Sequence, residues 1–157
     1  MIEEAGMSDA PLLIVEGLVQ NRLSLTFAHL GSYPAEAQIA DVSQLVAKRE
    51  GQALRLSALL AAARPLPEAK YATLHSADGS FSASIALAEI QDRALLVYQK
   101  DGAVLPDTLG GPIRFLIPQF NDPCANVRGL GRIELTATPG RDTRPSLTQI
   151  QPLKKPQ

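Results

Sequence analysis

The dipeptide Asp78-Gly79 interrupts two strand-like runs, Tyr71-Ala72-Thr73-Leu74-His75-Ser76 and Ser80-Phe81-Ser82-Ala83-Ser84-Ile85. A two-strand turn of this kind needs positive φ, which Asp-Gly adopts readily, so the segment is committed to an antiparallel hairpin. The rest of the chain repeats the theme of short apolar runs cut by turn residues. Residues 11–19 predict a strand that bends at Gly17, and Leu23 to Leu25 a second short one. The run 94–99 reads as a buried strand followed by an Asp101-Gly102 turn. Ile113 to Ile117 predicts a strand stopped by Pro118, and Ile133 to Thr136 the last one.

Helices are few. Thr26 to Leu30 predicts one turn closed by Gly31 before Pro34. Ser57 is placed to cap Ala58-Leu59-Leu60-Ala61-Ala62-Ala63, which ends at Arg64-Pro65. Leu87 to Ile90 fits a third, short helix. The segment 37–48, with Ile39, Val42, Leu45 and Val46, fits strand or helix, and strand is preferred. No strand–helix–strand alternation recurs, so a doubly wound sheet is excluded and an α+β, mainly β domain is expected. Its expected limits are 11–138, with a flexible N-terminus over 1–10 and a flexible tail over 139–157 that contains four prolines.

Charge narrows the function classes. Lys plus Arg (15) nearly balances Asp plus Glu (16) over 157 residues, which gives no reason to expect nucleic acid or an acidic membrane as partner. The single cysteine, Cys124, excludes an internal disulfide and suits a reducing compartment. The first residues are acidic where a signal peptide needs a basic start, and no apolar run approaches a membrane span. A cytoplasmic setting is therefore expected, although an exported form with its signal removed would look the same.

Two arginines stand out among the candidate functional residues. Arg114 lies in Gly110-Gly111-Pro112-Ile113-Arg114-Phe115-Leu116-Ile117-Pro118, and Arg128 in Asn126-Val127-Arg128-Gly129-Leu130-Gly131-Arg132. A guanidinium keeps its charge and offers five donors in a rigid fork, which suits phosphate or carboxylate. Adjacent glycines, Gly111 above all, let a ligand approach the backbone. The plainer reading, which the sequence alone favours, makes Arg114 a surface arginine at the sheet edge, solvated or paired with Asp107 or Asp122, and Arg128 a helix-end or loop arginine. Arg132 opens a strand and is expected to face water.

Other chemistry finds little support. His29 and His75 stand apart from any metal-ligand cluster. Ser76 follows His75 directly, and neighbouring strand residues face opposite ways, so no catalytic triad is read. Cys124 is a loop residue that would be reactive only beside a cation such as Arg128. Gly110-Gly111 matches neither the phosphate-loop nor the dinucleotide glycine pattern. No catalytic residue and no metal ligand are assigned.

The order of motifs resembles the molybdopterin-binding domain of the sulfite oxidase family. It runs from Tyr71–Gly79 through Ser84-Ile85-Ala86-Leu87-Ala88-Glu89, Leu95-Leu96-Val97-Tyr98 and Asp101-Gly102-Ala103-Val104-Leu105-Pro106 to the two arginine segments. The match extends over about 53–136. The resemblance implies a sulfite-oxidase-type fold, in compact form, around a pterin cofactor. It implies that Arg114 of Gly-Pro-x-Arg lies at the cofactor and that Arg128 holds the pterin, with Gly111 and His75 in the same set. Family members usually carry Lys-Trp where this chain has Arg128-Gly129. They also bind molybdenum through a cysteine upstream of the Ala58–Ala63 segment. The matching stretch, Ile39-Ala40-Asp41-Val42-Ser43, has none, and Asp41 or Ser43 would be a hard oxygen ligand with different electronics. Two functions follow: a molybdopterin-dependent oxidoreductase or a degenerate relative that keeps an arginine-lined pterin or anion pocket, and a non-catalytic module that binds a small anion or a protein partner.

Overall fold

The computed structural model describes residues 10–120 and 125–144. Cys124 and Asp122 lie outside the described residues, as does the tail beyond Arg144. Two five-stranded sheets carry the fold. The first has the order β2 (Leu23–Leu25), β1 (Leu13–Gly17), β10 (Leu130–Thr136), β5 (Tyr71–Ser76), β6 (Ser82–Ala86). Only β1 and β10 run parallel; the other neighbours are antiparallel. The second sheet joins β3 (Gln38–Ile39), β4 (Gln52–Arg55) and β7 (Leu95–Lys100), with β8 (Ala103–Val104) and β9 (Arg114–Leu116) both paired to β7.

Side-chain alternation places the core. On the first sheet Leu13, Val15, Ala72, Leu74, Ala83, Ile85, Ile133 and Leu135 turn inward, while Thr73, His75 and Ser84 line the opposite face. The second sheet is buried on both sides. Leu54, Leu96, Tyr98 and Phe115 enter the large core; Ala53, Leu95, Val97 and Leu116 build a smaller one with Val42 and Leu105. Two-sided burial explains why Leu95-Leu96-Val97-Tyr98 is apolar without a break. Full burial of each such aliphatic side chain stabilises by roughly 1.5–3 kcal/mol.

Helices fill the ends. α1 (Phe27–Gly31) is capped by Thr26, whose hydroxyl accepts from the His29 amide at 3.1 Å. α2 (Leu56–Ala63) packs Leu56, Leu59, Leu60 and Ala63 into the core. Its cap is Arg55, not Ser57: the Leu56 amide donates to the Ala94 carbonyl at 3.0 Å, so a strand partner satisfies the helix start. α3 (Leu87–Ile90) buries Leu87 and Ile90.

The expected strand over 37–48 is reduced to β3. Asp41 accepts from the Ser43 amide at 3.0 Å and starts a 3-10 turn, Val42–Gln44, which buries Val42 in the small core. The start of the expected tail is docked. Across 140–144 the chain follows β6: Thr143 donates its amide to the Ser82 carbonyl at 2.8 Å, and Ser84 donates its amide to Asp142 at 3.1 Å. This closes a sheet edge that would otherwise invite pairing with other chains.

Candidate functional site

The site is assembled by the connection from β8 to β9 and the approach to β10. A 3-10 turn, Asp107–Leu109, ends at Gly110 in the left-handed region (φ 98°). Gly111 follows with no room for a side chain, since an added Cβ would overlap the Leu105 carbonyl. The Gly110 carbonyl accepts from the Gly129 amide at 2.8 Å, and the Ile113 carbonyl from the Leu130 amide at 2.8 Å. These bonds hold the Gly110–Gly111 loop beside the residue preceding Gly129, which is Arg128.

Arg114 points to the small-core side of β9. It pairs with Val97 across the sheet and shares a face with Leu116, while Phe115 takes the other. Its stem lies over Gly110: a Cβ there would sit 3.0 Å from the Arg114 Cδ. The Arg114 Nε is buried with no hydrogen-bond partner. Among the described residues no carboxylate forms an ion pair with it, so pairing with Asp107 is not made. Burial lowers its pKa, and the Arg49 and Arg128 charges lower it further.

Arg128 donates from Nη2 to the Thr108 carbonyl at 3.2 Å and the Asp107 carbonyl at 3.4 Å. The guanidinium is thereby held against the 3-10 turn. Arg114 and Arg128 meet on one cavity of about 110 Å³, which also receives Lys48 and Arg49 from the turn before β4. Glu50 reaches this wall too, but it is 62% exposed and accepts from Lys100 Nζ at 3.1 Å. Lys48 itself has φ 68°, an uncommon state for a residue with a side chain.

Arg128 also lines a larger groove of about 560 Å³. Gly110, Gly111 and Gly129 form one wall, and the β5–β6 hairpin tip, Ser76 to Phe81, forms the other. Asp78 stands at the tip. It accepts from the Ser80 amide and hydroxyl at 3.0 and 2.7 Å and from the Ser76 hydroxyl at 2.8 Å, bonds that pull its pKa down from 3.8 to about 2.

His75 is elsewhere. It faces a separate cavity of about 470 Å³ with Arg132 and Arg141, on the far side of the hairpin. Its Nδ1 lies 2.9 Å from the Ser82 Oγ directly across the strand pair, and its Nε2 lies 3.1 Å from Glu134. Ser82 is fully buried, so no substrate reaches that hydroxyl. Arg132, expected to face water, is partly exposed and donates to Glu16 at 2.9 Å. The structure therefore joins Arg114, Arg128 and Gly111 into one locality and leaves His75 out of it. Sequence reasoning missed Lys48 and Arg49; their adjacency just before Gly51 was the available signal.

The sequence profile of the oxidoreductase molybdopterin binding domain matches residues 8–143. The chain belongs to that family. Among solved structures, the sulfane dehydrogenase SoxCD of Paracoccus pantotrophus shares the fold, with a TM-score of 0.65 and 22% identity. The alignment covers 88% of this chain and 40% of that one, so the family member described here spans well under half of the SoxCD chain it matches. Comparison with curated protein sequences gives no match. No helix among the described residues is long and apolar enough to cross a membrane.

The family's cofactor can be tested against the residues present. The stretch where the metal-binding cysteine is expected holds Asp41, whose carboxylate accepts from the Ser43 hydroxyl at 2.6 Å and from the Ser43 amide. Among the described residues no three His, Cys, Asp or Glu side chains gather into a group able to hold a metal ion. These donors do not fit a thiolate-held metal. The unpartnered Arg114 Nε does fit the anionic end of a pterin.

Proposed function

We propose that this chain is a binding member of the molybdopterin domain family, one that takes the phosphate end of a pterin-type ligand on Arg114 and Arg128. The glycine wall of the larger groove receives the ring system, and Arg128, which borders both cavities, joins the two parts. Gly111 serves by leaving the wall thin. Thiolate-ligated metal redox chemistry is not assigned to this chain, because the stretch where the family's metal-binding cysteine is expected carries Asp41 and Ser43, hard oxygen donors. Near-neutral overall charge and a single cysteine suit a cytoplasmic protein whose partner is a small anion and not a nucleic acid.

The buried Arg114 Nε without a partner carries this reading. A buried charged donor left unmade is costly, and an incoming anion removes that cost on binding. The test is a fluorescence titration with a pterin monophosphate, comparing the wild type with Arg114→Gln. A charge-assisted bond contributes roughly 1.5–3 kcal/mol, so the variant should bind about tenfold or more weakly. Absence of binding by the wild type, or equal affinity for both proteins, would sink the proposal.

A further inference from the structure

We infer that the segment 140–144 is a latch on the β5–β6 hairpin: docked, it holds the hairpin tip that walls the larger groove, and a ligand in that groove in turn holds the latch shut. The inference rests on the reading of the groove as a ligand site and adds how that site is regulated.

The segment is fastened to β6 mostly by side chains. Asp142 accepts from the Ser84 amide at 3.1 Å, Thr143 Oγ1 accepts from the Ser82 amide at 3.1 Å, and Arg144 Nη2 donates to the Ser84 carbonyl at 2.9 Å. Among the described residues a single main-chain pair joins the two, from the Thr143 amide to the Ser82 carbonyl at 2.8 Å. A strand would add a ladder; this segment adds substitutes for one, and residues 141–143 are exposed. Local opening of such a segment costs far less than global unfolding. Its start is a tight fit. Gly140 lies against β5, where an added Cβ would overlap the Thr73 Oγ1, and its amide donates to the Ser84 Oγ at 2.9 Å. Thr73 is buried and so yields little.

The latch reaches the groove through Arg141, whose Nη1 donates to the Gly79 carbonyl at 3.3 Å. Gly79 is the turn residue after Asp78, with φ 77°. On its inner side the tip is tied to the glycine wall, where the Ala77 amide donates to the Gly129 carbonyl at 2.7 Å. Residues 76–78, with Ser80 and Phe81, line the groove, so the tip stands between the latch and any ligand there. With the latch released, Gly79 loses its outer tie and β6 loses the partners of its edge. A ligand that needs the tip in place binds the docked form better, and by reciprocity its binding favours docking.

Limited trypsin digestion of the full chain tests this. Arg144 precedes Pro145, a bond that resists trypsin, so cleavage within the segment falls between Arg141 and Asp142 and reports its opening. Pterin monophosphate at about a hundred times its Kd should slow that cleavage about tenfold or more. Thr143→Val removes the acceptor for the Ser82 amide and should speed cleavage about fivefold. It should change the affinity for pterin monophosphate by less than about twofold, since the docked form still dominates. Gly140→Ala should drive the segment off and weaken pterin monophosphate binding severalfold, with a cooperative urea transition showing that the variant is folded. Hydrogen exchange of the Ala77 amide should quicken in both variants, and Thr143→Val carries the test if Gly140→Ala does not fold. Cleavage after Arg141 that saturating ligand leaves unchanged, or a folded Gly140→Ala variant that binds like the wild type, overturns the inference alone. If the wild type binds no pterin monophosphate, the function proposed above falls, and Ala77 exchange in the ligand-free protein decides the latch. Equal exchange in the variants and the wild type then overturns it, whereas faster exchange in the variants upholds the tie between latch and tip.

Discussion

Replacing Arg114 by methionine should make the protein more stable when no anion is present and less stable than the wild type when the anion saturates it. The guanidinium Nε is buried without a partner, and a buried unmade donor costs roughly 1–3 kcal/mol. Arg49 and Arg128 add repulsion. Methionine keeps the unbranched stem over Gly110 and offers an apolar tip to Val97 and Leu116, which line the same cavity. The expected gain is about 1–2 kcal/mol, or a rise of about 2–6 °C in Tm for a chain of this length. Sulfate at about a hundred times its Kd should stabilise the wild type by about 2.7 kcal/mol through mass action. The variant should receive only the general salting-out gain that both proteins share. The two urea unfolding curves should therefore exchange order between chloride and sulfate, with the wild type ahead by about 1 kcal/mol in sulfate. A variant less stable than the wild type in chloride would show that Arg114 is a structural residue with contacts that outweigh its burial. Equal gains from sulfate in both proteins would show that no anion is held there.

Gly111→Ala should cost about 2 kcal/mol or more in urea unfolding, because the new methyl meets backbone of Leu105 and Pro106 that cannot yield as a side chain would; a change under about 0.5 kcal/mol would mean that the loop moves freely. Ser82→Ala strips the His75 Nδ1 of its partner in a buried position and should lower stability by about 1–3 kcal/mol, with an unchanged unfolding midpoint counting against the arrangement described. Asp78 has a folded-state pKa of about 2, below the usual carboxylate value, so its contribution is complete above about pH 4 and is lost as pH falls through about 2. Asp78→Asn should flatten the acid limb of the stability–pH curve across that window, and an identical limb in both proteins would contradict the three bonds drawn to its carboxylate.

Local signals were readable where one interaction decides the geometry. Asp78-Gly79 produced its hairpin, and the unbroken Leu95–Tyr98 run lay in a doubly covered strand. The helical turn expected over Thr26 to Leu30 formed as Phe27–Gly31, with Thr26 outside it as the cap. Reading failed where a distant partner took over. Ser57 had the chemistry of a cap, yet the Ala94 carbonyl supplied the bond one residue earlier. Asp41 turned its segment through a contact with Ser43 that periodicity does not register. Arg114, Arg128 and Gly111 were visible because cation and glycine stand together in the chain. The resemblance put His75, from the separate Tyr71–Gly79 segment, in the same set, but cross-strand bonding to Ser82 and Glu134 occupies both ring nitrogens on another face. Lys48 and Arg49 are adjacent basic residues close to Gly51, but what brings them to Arg114 and Arg128 is tertiary folding, which that local pattern does not specify.

The last strand of the first sheet lies between the first strand and the β5–β6 hairpin. An ion pair beside that junction, Arg132 to Glu16, spans 116 positions. Synthesis therefore delivers both flanks of the sheet long before the strand that unites them. Until then β1 and β5 each present an unpaired backbone ladder, and pairing over so long a loop is slow to form. A chain made only as far as the residue before Leu130 would hold two half-sheets with nothing between them, so assembly of this sheet waits for β10.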